Sequence, residues 1–243
     1  MALPVVTANR PGSWLGPYSA SSRLLVYSRW RVVADPQGCD PTDTPGAGVI
    51  GGGRIWVAGA HTRPRRLPHS GPAVLLAASA GRVASVPAAA GSLYDSPTGA
   101  RAIELRSIVD GDLIAHLDED ADIRAISLSG RILAALLERP TGGWAIDRFA
   151  ARDGRLIGRR VLKSAATASV FTIAGDRVVY MTLLRHGRAT LRLLEASGDV
   201  GRLRVLGRRT GGVSVLGSNV YWYQNARRPG RYASHIFVLP LPR

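Results

Sequence analysis

The chain has little of several things, and each shortage excludes something. It has one cysteine, Cys39, so no disulfide can form within it. Cys39 sits in a polar loop, Asp35-Pro36-Gln37-Gly38-Cys39-Asp40-Pro41, whose only charged residues are acids. A nucleophilic thiol wants a base or cation beside it, so Cys39 reads as a loop thiol without a role. No run of about 18 apolar residues exists, so no transmembrane helix is expected. Residues 1–7 are apolar for only a few positions and lack a basic start, so they do not read as an intact signal peptide. A secreted or cell-envelope location is expected if a signal has been removed, and a cytoplasmic one otherwise.

Lysine is almost missing. Of 32 lysines and arginines only Lys163 is a lysine, and the net charge is +15. Abundant Ala, Gly and Pro beside the arginine indicate the coding bias of a GC-rich genome. A nucleic-acid surface would cluster its charge on one element with interleaved aromatics. Here the arginines are spread through the whole chain. Specific nucleic-acid binding is therefore not expected, although so large a charge attracts polyanions at low salt.

Chemical motifs are equally sparse. His61, His69, His116, His186 and His235 form no HxH or HxxxH pair, and no metal site or cofactor is expected. No Gly-x-Ser-x-Gly elbow occurs. Gly51-Gly52-Gly53 precedes neither a helix nor a lysine, so it is not a phosphate loop. Acids cluster once, at Asp118-Glu119-Asp120 with Asp122. Hard cations want several oxygens together, but the calcium-loop spacing is absent. The cluster reads as a solvated connection between repeats.

What is present is repetition. The stretch 169–206 holds four short apolar runs, 169–173, 177–184, 190–196 and 203–206. They are separated by Gly175-Asp176, Arg185-His186-Gly187 and Ser197-Gly198-Asp199. Val, Ile, Tyr, Phe and Thr suit a pleated surface, and Gly with Asp supplies the turn geometry of hairpins. The unit is a four-stranded antiparallel meander.

Two markers recur. Gly81-Arg82-Val83, Gly130-Arg131-Ile132, Gly175-Asp176-Arg177-Val178 and Gly217-Ser218-Asn219-Val220 stand about 42–49 residues apart. Asp110-Gly111, Asp153-Gly154 and Gly198-Asp199 mark a later turn. Spacings in the forties with four strands per unit match propeller blades.

The units run over 14–67, 74–117, 123–161, 169–206 and 213–239. The first has strands at 14–19, 23–33, 54–58 and 63–67, with a loop over 34–53. The stretch 131–138, RILAALLE, has helical propensity, but repeat alignment makes it a strand. The last unit lacks a fourth strand, and Leu3–Thr7 is the spare apolar segment that would fill it. The expectation is an all-β propeller, a single domain over 1–243, with five four-stranded blades closed by strand exchange between the termini. Six blades would follow if the native chain were longer at the N-terminus.

The third and fourth units resemble the repeats of TolB-like and other WD40-like β-propellers. The residues concerned are Gly130-Arg131-Ile132-Leu133, then Trp144-Ala145-Ile146-Asp147, then Asp153-Gly154. Leu128-Ser129-Gly130 stands where that family has a Ser-Pro-Asp-Gly turn, and no Trp-Asp dipeptide ends a blade. The resemblance implies a binding scaffold rather than an activity.

Three functions follow as expectations. The first is a non-enzymatic binding or interaction propeller, acting as a monomer. The second is an enzyme, a lyase or hydrolase, working in the central channel. The third is a polyanion-binding basic protein. The strands expected to line the channel carry only Arg124 as a charged residue, which disfavours chemistry there. Loops on a rigid scaffold commonly carry binding. The long ones, Ala34–Gly53, Ala88–Ala100 and Asn225–Arg231, fall on one face of the disc. Arg227, Arg228, Arg231 and Tyr232, with Arg139, Arg185 and His186 in the equivalent short loops, are the candidate contact residues. Their chemistry suits an acidic or phosphate-bearing partner. Among Tyr221, Trp222 and Tyr223, alternation places Trp222 opposite the two tyrosines, so one set belongs to the core.

Overall fold

The computed structural model describes residues 13–20, 24–34, 48–59, 62–88, 99–163, 165–183, 189–206, 210–216, 219–225 and 234–242. Among them all regular structure is β. The first sheet holds β1 (Ser13–Ala20), β2 (Leu24–Ala34), β3 (Gly48–Gly59) and the two-residue β4 (Arg65–Arg66). The second holds β5 (Ala73–Ser79), β6 (Arg82–Pro87), β7 (Ala102–Ser107) and β8 (Leu113–Asp118). The third holds β9 (Asp122–Leu128), β10 (Ile132–Glu138), β11 (Trp144–Ala150) and β12 (Leu156–Leu162). The fourth holds β13 (Ala166–Ala174), β14 (Arg177–Leu183), β15 (Ala189–Leu194) and β16 (Val200–Leu206). The fifth has three strands, β17 (Thr210–Leu216), β18 (Asn219–Asn225) and β19 (Ser234–Pro240). Each sheet is an antiparallel meander in chain order. The expected closing segment, Leu3–Thr7, lies outside the described residues.

The sheets are blades because their first strands meet. β1 touches β5, β5 touches β9, β9 touches β13, and β13 touches β17. Serines stitch this inner seam: the Ala78 N–H donates to Ser19 Oγ at 3.0 Å and the Ile173 N–H to Ser127 Oγ at 3.1 Å. Within a blade, the turn between the second and third strands and the exit from the fourth share one end of the sheet.

The core is the set of surfaces between blades, which explains the stretch 131–138. Leu133, Ala135 and Leu137 pack toward the second blade with Val86, Ile103 and Leu105. Ala134 and Leu136 pack toward the fourth with Val178, Tyr180 and Leu194. A strand buried on both faces reads as a continuous apolar run, and period alone cannot tell it from a helix. Trp222 is buried and stacks on Phe237 at 5.5 Å, while Tyr223 is exposed, as alternation required.

The acidic-Gly turns have a second role besides reversing the chain. Gly111, Gly154 and Gly198 have φ of +80°, +74° and +95°. A Cβ on Gly111 would collide with the Pro68 carbonyl of the first blade, and one on Gly154 with Ala115 and Leu117 of the second. The turn holding Gly198 receives the Arg148 guanidinium of the third blade, which donates to the Glu195 and Ala196 carbonyls at 2.8 and 3.0 Å. Each of these turns therefore docks on the preceding blade.

One boundary departs from expectation. The loop expected over 34–53 is shorter, because β3 already begins at Gly48 and pairs with β2 from Ala34 onward. The glycine run belongs to this strand beside a bulge at Arg31/Val32. Gly53 has φ +158°, and a Cβ there would strike the Arg29 carbonyl. Glycine serves the close approach of two backbones.

Candidate functional site

Of the expected contact residues the structure places Arg139, in the turn between β10 and β11. Its N–H donates to the Gly143 carbonyl at 2.7 Å, and its carbonyl accepts from the Gly142 N–H at 2.8 Å. Arg185, His186, Arg227, Arg228, Arg231 and Tyr232 lie outside the described residues, as do 35–47, 89–98 and 226–231 of the long loops. The described structure therefore brings none of them together.

It does bring together residues that the sequence reading passed over. Between the third and fourth blades lies a cavity of about 220 Å³. β12 supplies one wall with Arg160, Val161 and Leu162, followed by Lys163 just past its end. β14 supplies Tyr180 and Thr182, two residues apart and so on one face. β15 supplies Arg192, directly across from Tyr180 in the register, and β16 supplies Val200. Arg192 Nε donates to Thr182 Oγ1 at 3.1 Å, which fixes the guanidinium against the wall. Thr182 and Tyr180 are buried. Burial pushes the Tyr180 hydroxyl above its ordinary pKa, against the lowering pull of Arg192 and Arg160. Among the described residues three cations and no carboxylate line the space. The available signal was Thr182 and Arg192 standing at inward positions of otherwise apolar strands.

A second constellation joins the second and third blades. Asp147 on β11 faces Arg159 on β12 across the ladder. Arg159 grips it with two prongs, Nε to Oδ1 at 2.8 Å and Nη2 to Oδ2 at 2.6 Å. The same guanidinium reaches Glu119 Oε2 at 3.1 Å and Asp120 Oδ2 at 3.5 Å on the connection from β8 to β9. The side chains of Asp147 and Glu119 are only 1% and 3% exposed. One arginine cannot neutralise three carboxylates. Burial first, and then the Asp147 charge, push the Glu119 carboxyl up to about 7. Arg159 is held firmly protonated by its hydrogen bonds to Asp147. The acid cluster thus closes on an arginine in the place a bound cation would take. It is buried in part, where a fully solvated connection was expected. Among the described residues no group of three or more His, Cys, Asp and Glu could hold a metal ion.

The charged groups on the inner strands are engaged locally. Arg124 pairs with Glu138 at 2.6 Å. β9 starts one residue earlier than expected and so adds Asp122, which accepts from the Gly99 N–H and pairs with Arg101 at 3.4 Å.

No family model matches the chain, and no curated protein matches it. Among solved structures it is similar to the β-propeller domain of the Trilobed protease from Pyrococcus furiosus, a propeller with an open velcro topology. That likeness covers 97% of this chain and 70% of that one, at 11% identity and a TM-score of 0.62. It is also similar to the acylaminoacyl peptidase of Pyrococcus horikoshii, over 93% of this chain and 38% of the peptidase, at 10% identity and a TM-score of 0.60. TolB from Acinetobacter baumannii matches over 90% of this chain and 50% of its own, at 16% identity and a TM-score of 0.52. Among the described residues no helix is long and apolar enough to cross a membrane. Sheet order, inner-strand contacts and these likenesses agree on the fold: the chain is a β-propeller.

Proposed function

We propose that the chain is a non-enzymatic binding propeller that holds an acidic partner on its basic surface. One observation carries this reading against an enzyme in the channel. The charged side chains on the described inner strands, Asp122 and Arg124, are both tied up in ion pairs. The remaining residues of β1, β5, β9, β13 and β17 are uncharged. A hydrolase or lyase acting there needs carboxylates or a metal converging on substrate. The buried carboxylate pair among the described residues, Asp147 with Glu119, stands on β11 and on the connection before β9, and Arg159 closes it.

The acidity of the partner rests on the net charge of +15 and on the arginines of the long-loop segments, Arg227, Arg228 and Arg231. A poly-glutamate peptide is the probe. Changing these three arginines to Ser weakens its binding, leaves the melting temperature unchanged and lowers the salt dependence. Arg131, Arg155 and Arg202 are exposed elsewhere, and changing them to Ser is the control. Equal losses in both triple variants leave only a generic polyanion surface. An unaltered affinity in the first variant removes those arginines from the account.

A further inference from the structure

We propose that the cavity between the third and fourth blades is a binding site for a dianionic phosphate group. The inference goes beyond the acidic-partner reading and stands whether or not Arg227, Arg228 and Arg231 make contact.

Every polar group on the wall is able to donate. Arg160, Lys163 and Arg192 have no acceptor function at all. Thr182 Oγ1 already accepts from Arg192 Nε, so its own hydrogen is available to a ligand. The Tyr180 hydroxyl, on a residue 1% exposed, has no hydrogen-bond partner among the described residues. Burial keeps that phenol protonated, and so a donor, across the neutral range. Among the described residues no buried side-chain nitrogen or oxygen lacks a partner, so this hydroxyl is open to the cavity and free to donate into it.

Charge says the same. Three cations lining one space repel one another, and no carboxylate among the described residues of the wall relieves them. The neighbouring interfaces also carry arginines, but there they are answered: Arg159 by Asp147, Glu119 and Asp120 at the second-to-third, and Arg204 by the Trp222 ring at the fourth-to-fifth.

Shape selects among anions. The donors come from β12 and the residue past its end on one blade and from β14 and β15 on the next, so they face the space from both walls. A carboxylate offers two oxygens in one plane. A phosphate monoester offers three terminal oxygens in tetrahedral array with a charge near −2. The volume admits several water-sized groups, enough for a phosphate and the start of what it esterifies. Lys163 follows the end of β12 and Thr182 precedes the end of β14, so the ligand enters from the face bearing the second-to-third-strand turns.

The test is calorimetric titration of the full chain at constant ionic strength with inorganic phosphate and, separately, with glycerol 3-phosphate. Saturable one-to-one binding is expected for at least one of them. Tyr180→Phe keeps the ring that packs between blades and should weaken binding roughly 5–10-fold. Lys163→Met should weaken it roughly tenfold or more. Arg131→Met, at a distant exposed position, should leave it unchanged. Phosphate bound better than its ester assigns a free ion, and the reverse assigns an esterified ligand. Absence of saturable binding to both probes overturns the proposal. So does an equal loss in Arg131→Met and Lys163→Met, which would mean a bulk charge effect.

Discussion

Glu119 is the residue whose behaviour should be easiest to catch. Its carboxyl is held at about 7 in the folded chain, whereas a free glutamate titrates near 4.5. The folded state therefore keeps a proton that the unfolded state releases. This stabilisation is fully present below about pH 4.5 and is lost as the pH rises through 7. Its full span is on the order of 3 kcal/mol. In a chain of this size that corresponds to roughly 6–12 °C in melting temperature. Glu119→Gln carries no such titration and should melt with less pH dependence than the parent between about pH 5 and pH 8. Parallel melting curves for the two would contradict it. The cluster Asp118-Glu119-Asp120 was plain in the sequence. Its partners were not, because Asp147 and Arg159 are brought to it by a strand register that alternation alone does not specify. The same gap hid the cavity: Tyr180, Thr182 and Arg192 were visible as strand residues, but not as sharing a wall with Arg160.

At the scale of elements, β10 shows how packing overrides propensity. RILAALLE contains good helix formers, yet both of its faces are buried between blades. Leu136→Ala should cost about 2–5 kcal/mol, because rigid sheets on both sides leave little room to collapse. Chemical denaturation of the variant measures this directly, and a cost under about 1 kcal/mol would mean that the interface relaxes. The fifth blade raises a different matter. Ile236 and Val238 on β19 are 74% and 52% exposed, and β19 has no outer neighbour among the described residues. An apolar edge of that kind invites pairing. We expect Leu3–Thr7 to supply the pairing strand. Removing residues 1–9 should then lower the melting temperature by several degrees, and an unchanged value would leave that segment without this role. The turn markers located strand starts well, since Gly and Asp have a steric reason to stand there. The glycine run at 51–53 misled for the same reason, since close backbone contact and loops both select glycine.

For the whole molecule, the fold was legible because it is periodic, and the function was not because sites interrupt the period. Far-ultraviolet circular dichroism should be that of β-structure, and a helix-dominated spectrum would contradict the fold. The charge of +15 should give binding to duplex DNA that ignores sequence and fades steeply between low and physiological salt. A preference for one sequence that survives salt would instead require base contacts.

The docking of each acidic-Gly turn on the preceding blade gives the series of blades a direction. Gly111 leans on the first blade, Gly154 on the second, and the Gly198 turn on Arg148 of the third. A chain leaving the ribosome emerges in that same order, N-terminus first. The second, third and fourth blades therefore each meet a surface that has already been synthesised, and their acidic-Gly turns need no later segment to hold them. Assembly can then proceed by successive addition during translation, with the fifth blade the last to gain its neighbours.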